Sequence, residues 1–234
     1  MNAPACGIVS LPIVAVCHGI DVPAAPHLGQ GMIASMATGR YERHEIACGL
    51  ASIQPGARVL ELGAGSGLVG AVLARNCRPE AILAIEANPD LIPHINALYR
   101  HNRLDNLISV RNAVVLTAAN PPHSITFHVA GNFLGSGLAA ESQRSRPVDA
   151  PVLRYDALKA AFPHDTIMMD IEGGELDFLR HADLTGVRTV VLEVHRAIYG
   201  HDGVRECRLL LERARLSQDL SLSRAGVHVY QRQD

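Results

Sequence analysis

The residues in this sequence that can do chemistry fall into two groups. The first is "VLELGAGSGLVG" (59–70), where Glu61 is followed by Gly63, Gly65, Gly67 and Gly70. Glycine at that density lets a backbone turn sharply or lie against a ligand that a side chain would push away. The second is made of "MMDIEGGELDFL" (168–179) and "VVLEVH" (190–195), which hold Asp170, Glu172, Glu193 and His195. A carboxylate beside an imidazole can remove a proton from a hydroxyl during group transfer.

The glycine segment follows a short apolar run, the usual place for a ligand loop in an open parallel sheet. A phosphate-binding loop of the nucleoside triphosphatase type needs a lysine and then Ser or Thr after its last glycine. Here Gly67 is followed by Leu68, and the only lysine is Lys159, so that class is excluded. A dinucleotide fits better: "GSGLVG" satisfies G-x-G-x-x-G, and Glu86 lies 21 residues beyond Gly65, near the spacing of a ribose-binding acid. Glu61 adds information, because a carboxylate at the tip of the first strand is poorly placed beside a pyrophosphate. It suits S-adenosylmethionine, which has an ammonium, a sulfonium and a ribose diol but no phosphate. Expected cofactor-binding residues are therefore Glu61 near the amino acid end, Gly63, Gly65 and Gly67 in the loop, and Glu86 on the ribose hydroxyls. Asn112, at the tip of the third strand, is placed to meet the adenine edge or to hold a turn.

Asp170 and Glu172 are two apart and are expected on one face of an extended strand end. Glu193 and His195 repeat that spacing on the next strand. Asp170, Glu172 and His195 are the candidate catalytic residues. The alternative is structural, with Asp170 and Glu175 capping a helix and Glu193 pairing with Arg188 or Arg196. Such clusters can also hold a divalent metal. No third spaced ligand stands out, so none is expected.

These groups need a scaffold that delivers strand ends to one rim. "RVLEL" (58–62), "AILAIEA" (81–87), "LISVRNAVV" (107–115), "TIMMDIE" (166–172) and "RTVVLEVH" (188–195) read as strands with helices between them. In the helix after Asn88-Pro89, Leu91, Ile92, Ile95, Leu98 and Tyr99 form one continuous apolar face. The stretch 120–150 reads as a short strand and a polar loop, and the chain ends in a hairpin turning at Arg224-Ala225-Gly226. The expected fold is a three-layer, doubly wound α/β domain with a mostly parallel seven-stranded sheet, its last strand antiparallel. Residues 39–234 form that domain; residues 1–38 are an N-terminal extension that packs on it or acts as a lid.

Composition agrees with one globular domain: 234 residues, 48% hydrophobic and 19% charged, with net charge −2. Nothing in that balance argues for nucleic acid or a membrane surface. Five scattered cysteines with no C-x-x-C pair point to neither zinc nor a disulfide framework. The apolar run Gly7–Ile20 is too short to span a bilayer and lacks the basic residue that precedes a secretory signal. A cytoplasmic location is the expectation.

Together, "ELGAGSG", "AIEANPDLIPHINALYRHN", "MDIEGGELDFL" and "VVLEVH" resemble the FkbM-type methyltransferases, class I enzymes that use S-adenosylmethionine. The likeness runs from about Tyr41 to His195. It implies O-methylation of a hydroxyl on a sugar, polyketide or other natural product, and leaves the acceptor open. One departure is "NFLGSGL" (132–138), where Ser136 is followed by glycine instead of a second serine. The rival readings are a non-catalytic S-adenosylmethionine-binding sensor or scaffold, which has no need of both polar pairs, and an NAD-dependent oxidoreductase.

Overall fold

A computed structural model describes residues 11–130 and 145–233. The departure at Ser136 and Gly137 therefore lies outside the described residues. An antiparallel pair, β1 (Ile13–Cys17) and β2 (Ile20–Pro23), comes first, then α1 (Gln30–Ala37) and α2 (Arg43–Ser52). The alternation proper runs β3 (Arg58–Leu62), α3 (Leu68–Cys77), β4 (Ala81–Glu86), α4 (Ile92–His101) and β5 (Ile108–Asn112).

Three strands then leave the main sheet: β6 (Val114–Leu116), β7 (Ser124–Val129) and β8 (Arg146–Arg154). The chain returns through α5 (Tyr155–Ala161), β9 (Thr166–Met169), α6 (Glu175–His181) and β10 (Thr189–Glu193). It closes with α7 (Arg196–Arg213), interrupted at Gly200, and the hairpin β11 (Leu216–Arg224) and β12 (Val227–Arg232).

The main sheet has seven strands in the order β11-β12-β10-β9-β3-β4-β5. The pairs among β10, β9, β3, β4 and β5 are parallel, and β12 is antiparallel to both its neighbours. This is the doubly wound arrangement expected, with its antiparallel last strand. Its central strands are buried on both faces, so they read as continuous apolar runs. Val59, Val72 and Ile95 belong to the core on one face, and Leu60, Phe178 and Leu211 to the core on the other. Residues of β1, β2 and α1, among them Cys17, Ile20 and Met36, join the first core.

Two local readings change. The run 107–115 is not one strand: it breaks at Ala113, where β5 stays in the main sheet and β6 pairs with β8. Alternation within 107–115 looks the same on either side, so periodicity alone does not show the change of sheet. The expected strand 166–172 stops at Met169, and Glu172 takes a left-handed backbone (φ 51°). Asp170 and Glu172 therefore share a turn and not a strand face.

The topology fixes where a ligand goes. The chain builds outward from β3 through β4 to β5, then crosses to build β9 and β10 on the other side. The crevice at such a switch point, beyond the carboxyl ends of the strands, is where open α/β sheets bind ligands.

Candidate active site

The glycine loop leaves β3 at this crevice. The N–H groups of Gly63 and Ala64 both donate to the Ile85 carbonyl, at 3.0 Å each, tying the loop to the end of β4. Gly63 has φ 88°, and a Cβ there would overlap the Asp170 carbonyl oxygen. Only glycine lets the loop press against the end of β9 in this way. Gly65 N–H donates to Glu86 Oε2 at 2.8 Å, and Asn88 N–H donates to Oε1 at 2.7 Å.

Glu86 is thus clamped by one backbone donor on each oxygen. Each oxygen keeps a second acceptor direction. The residue is 7% exposed, lines the cavity, and has its pKa raised to about 7 by burial against the pull of the Asn88 and Gly65 donors. Gly67, with φ 78°, sits at the start of α3 against the Ile95 side chain.

Two expected contacts lie elsewhere. Glu61 points behind the loop, buried to 3% exposure, with a carboxylate oxygen packed against Gly70 in the first turn of α3. Burial raises its pKa to about 8. It does not line the main cavity, so it supports the loop instead of reaching a ligand's amino acid end. The alternation of β3 turns this side chain inward. Asn112 donates through Nδ2 to the Glu86 and Ala87 carbonyls, both at 2.9 Å. It holds the β4 end in place, the turn role, and its amide is not at the cavity wall.

The second group is brought together as a charged cluster. His195 stands just past β10, at the start of α7, where its N–H donates to the Tyr199 hydroxyl at 2.8 Å. Its Nε2 faces Glu172 Oε2 at 3.3 Å and Asp170 Oδ1 at 3.5 Å; its Nδ1 faces Glu175 Oε1 at 3.0 Å. Burial alone would lower the imidazole pKa, but Glu172 and Glu175 outweigh it and push it up to about 11.

Carboxylates face both ring nitrogens, an arrangement that favours the protonated imidazole. That arrangement suits a residue that positions the neighbouring acids, beside the role as base expected from its spacing to Glu193. The Glu193 side chain meets Glu42 and Glu45 instead. Asp170 is pushed up to about 8 by burial and by the Glu193 and Glu172 charges, with His195 pulling it back. Glu175 Oε1 accepts the Ile171 and Gly173 N–H groups at 3.0 and 3.2 Å, which closes the turn between β9 and α6.

The cavity between these groups has a volume of about 410 Å³, the size of a small-molecule site. One wall is apolar, with Ile85, Leu91, Ala113, Val115 and Phe127; the other end carries Glu42, Glu45, Asp170 and Glu172. Glu42 and Glu45 come from the start of α2 and are site residues that motif spacing did not reveal. Glu42 has a left-handed backbone (φ 44°) just before the helix and Glu45 lies in its first turn, so helical spacing gives no signal for the pair. Arg180 also reaches the cavity, but its guanidinium is engaged by Asp177 and Glu206.

A family model described as the methyltransferase FkbM domain matches residues 61–215. Among curated proteins, no sequence matches this chain. Among solved structures, a protein of the NADB-Rossmann superfamily from Streptococcus agalactiae is similar, with 16% identity over 80% of this chain and 67% of that one, and a TM-score of 0.48. A precorrin-6y C5,15-methyltransferase from Geobacter metallireducens GS-15 is similar with 12% identity over 83% and 89%, and a TM-score of 0.48.

Proposed function

The chain belongs to the FkbM methyltransferase family, and from that premise we propose that it transfers a methyl group from S-adenosylmethionine to a hydroxyl of a small molecule. The observation that carries this reading is the acidic lining of the cavity, whose buried carboxyls are held high and would ionise beside a cation. Glu42, Glu45, Glu86, Asp170 and Glu172 line it, while Arg180 is already held by two acids. A pyrophosphate would bring its negative charges against these acids. A ligand bearing an ammonium and a sulfonium meets attraction.

Each residue then has a defined task. The free acceptor directions on Glu86 suit two ribose hydroxyls, and the apolar wall around Phe127 and Val115 suits a purine. When bound, S-adenosylmethionine supplies an electrophilic methyl carbon next to sulfur. The acceptor oxygen must line up with that C–S bond, so positioning carries much of the rate. As the O–C bond forms, the C–S bond breaks with its electron pair left on sulfur, and the hydroxyl proton leaves to a carboxylate.

Asp170 and Glu172 are the candidates for that carboxylate, because they stand at the cavity's acidic end. His195 holds both of them and stabilises the charge that remains. The acceptor is expected to be a sugar, polyketide or related compound rather than a nucleic acid, since among the described residues the guanidinium at the cavity, Arg180, is already held by Asp177 and Glu206. Among the described residues no helix is long and apolar enough to cross a membrane; the cytoplasm is the location proposed.

Calorimetry with S-adenosylhomocysteine, NAD and FAD, each alone, tests the donor reading. Binding of S-adenosylhomocysteine without the other two supports it, and tight NAD binding with no S-adenosylhomocysteine signal overturns it. A non-catalytic sensor would bind but release no S-adenosylhomocysteine with any acceptor in a panel of sugars, phenols and polyketide alcohols.

A further inference from the structure

Beside Asp170, the start of α2 meets the end of β10. Glu42, Glu45 and Glu193 each offer one carboxylate oxygen, and these oxygens lie within 4.8 Å of one another. Glu45 is 8% exposed, and no donor reaches its Oε1. A buried carboxylate oxygen without a partner is costly unless a ligand satisfies it. The charges acting most strongly on Glu45 are all acids: Asp170, Glu42 and Glu193. The nearby imidazolium, His195, is directed at Asp170, Glu172 and Glu175 instead.

We propose that Glu42, Glu45 and Glu193 bind one divalent cation, Mg²⁺ or Mn²⁺, at the acceptor end of the cavity. An all-oxygen donor set suits a hard cation, and two oxygens in one coordination sphere lie no more than about 4–5 Å apart. Three protein ligands leave further coordination positions open, and Glu42 and Glu45 line the main cavity, so those positions face it. The ion would there ligate the acceptor's hydroxyl and favour loss of its proton to Asp170. That role rests on the hydroxyl-methylating reading above; the binding site itself does not. Motif spacing had no access to this site, because its ligands come from a helix and a strand that only tertiary packing brings together.

Mn²⁺ binding tests the site without donor or acceptor present. The paramagnetic signal of free Mn²⁺ is followed while the full chain is titrated at neutral pH. One Mn²⁺ per chain, displaced by Mg²⁺, is expected, and Glu45→Gln and Glu193→Gln should each weaken it by at least about tenfold. Glu42→Gln, at a half-buried position, serves where either of the others fails to fold by circular dichroism; it should weaken binding in the same direction. No binding at about 1 mM Mn²⁺, or binding that all folded variants retain unchanged, overturns the proposal. Uptake of an organic amine in place of Mn²⁺ overturns it too. Calorimetry with S-adenosylhomocysteine on the same samples separates the two readings. Binding of S-adenosylhomocysteine without Mn²⁺ overturns the cation site alone, and Mn²⁺ binding without S-adenosylhomocysteine supports the site while overturning the donor.

Discussion

His195 Nδ1 lies 3.0 Å from Oε1 of Glu175, a carboxylate with no exposed side-chain surface. The same oxygen accepts the Ile171 and Gly173 N–H groups, so the imidazolium is fastened to the turn that carries Asp170 and Glu172. His195 therefore acts through the acids it holds. His195→Ala should lower turnover by about 10–10² through misplacement of those acids. His195→Gln, which can donate a hydrogen bond but cannot serve as a base, should recover part of the loss. If glutamine recovers nothing, the imidazole itself takes the proton and the assignment is wrong.

Asp170→Asn and Glu172→Gln remove the groups assigned to receive the acceptor's proton. Each is expected to lower turnover by about 10²–10⁴. Affinity for S-adenosylhomocysteine should change by less than about tenfold, roughly 1.4 kcal/mol. Near-full activity in both variants would leave positioning as the whole of the catalysis.

Glu86 has the opposite signature. Glu86→Ala should weaken S-adenosylhomocysteine by about 1.5–3 kcal/mol, the range for hydrogen bonds to a charged group. Calorimetry at fixed salt measures it, and an unchanged affinity would remove Glu86 from the ribose site.

Gly63→Ala tests the packing of the loop on β9. Its left-handed backbone and the Asp170 carbonyl in the path of a Cβ make the change destabilising by at least about 2 kcal/mol. Urea unfolding reads the loss; a variant as stable as the parent would mean that the loop is not pressed against this strand.

Glu61 and Glu86 also set a pH dependence of stability. Burial raises them to about 8 and about 7, above the ~4.3 of an unfolded glutamate. Stability from an acid whose pKa is raised is complete below the unfolded value and is lost as pH rises through the folded value. The apo protein should therefore melt several degrees lower at pH 9 than at pH 6. Glu61→Gln should flatten the slope, and an unchanged slope would mean that Glu61 is ionised without cost.

Much of the scaffold was legible in the sequence because apolar runs bounded by turn residues survive any tertiary arrangement. The Gly63–Gly67 loop, the five parallel strands and the antiparallel close all follow from such runs. The acid and histidine groups were legible as residues but not as geometry. Asp170 and Glu172 converge on His195 through a turn with a left-handed residue, where period-two spacing does not apply. Asn112 faces inward to donate to the Glu86 and Ala87 carbonyls, and Glu61 is buried behind the loop against Gly70; spacing alone shows neither. Glu42 and Glu45 reach Glu193 only through the packing of α2 on β10, some 150 residues away in sequence.

Transfer of label is the most direct measurement of the central claim. Cell extract is incubated with the protein and S-adenosylmethionine carrying an isotopically labelled methyl group, then separated into small molecules and macromolecules and analysed by mass spectrometry. One small molecule should gain the labelled methyl on oxygen, and that gain should be lost with Asp170→Asn. Label found on nitrogen or carbon, or in the RNA or protein fraction, would contradict it.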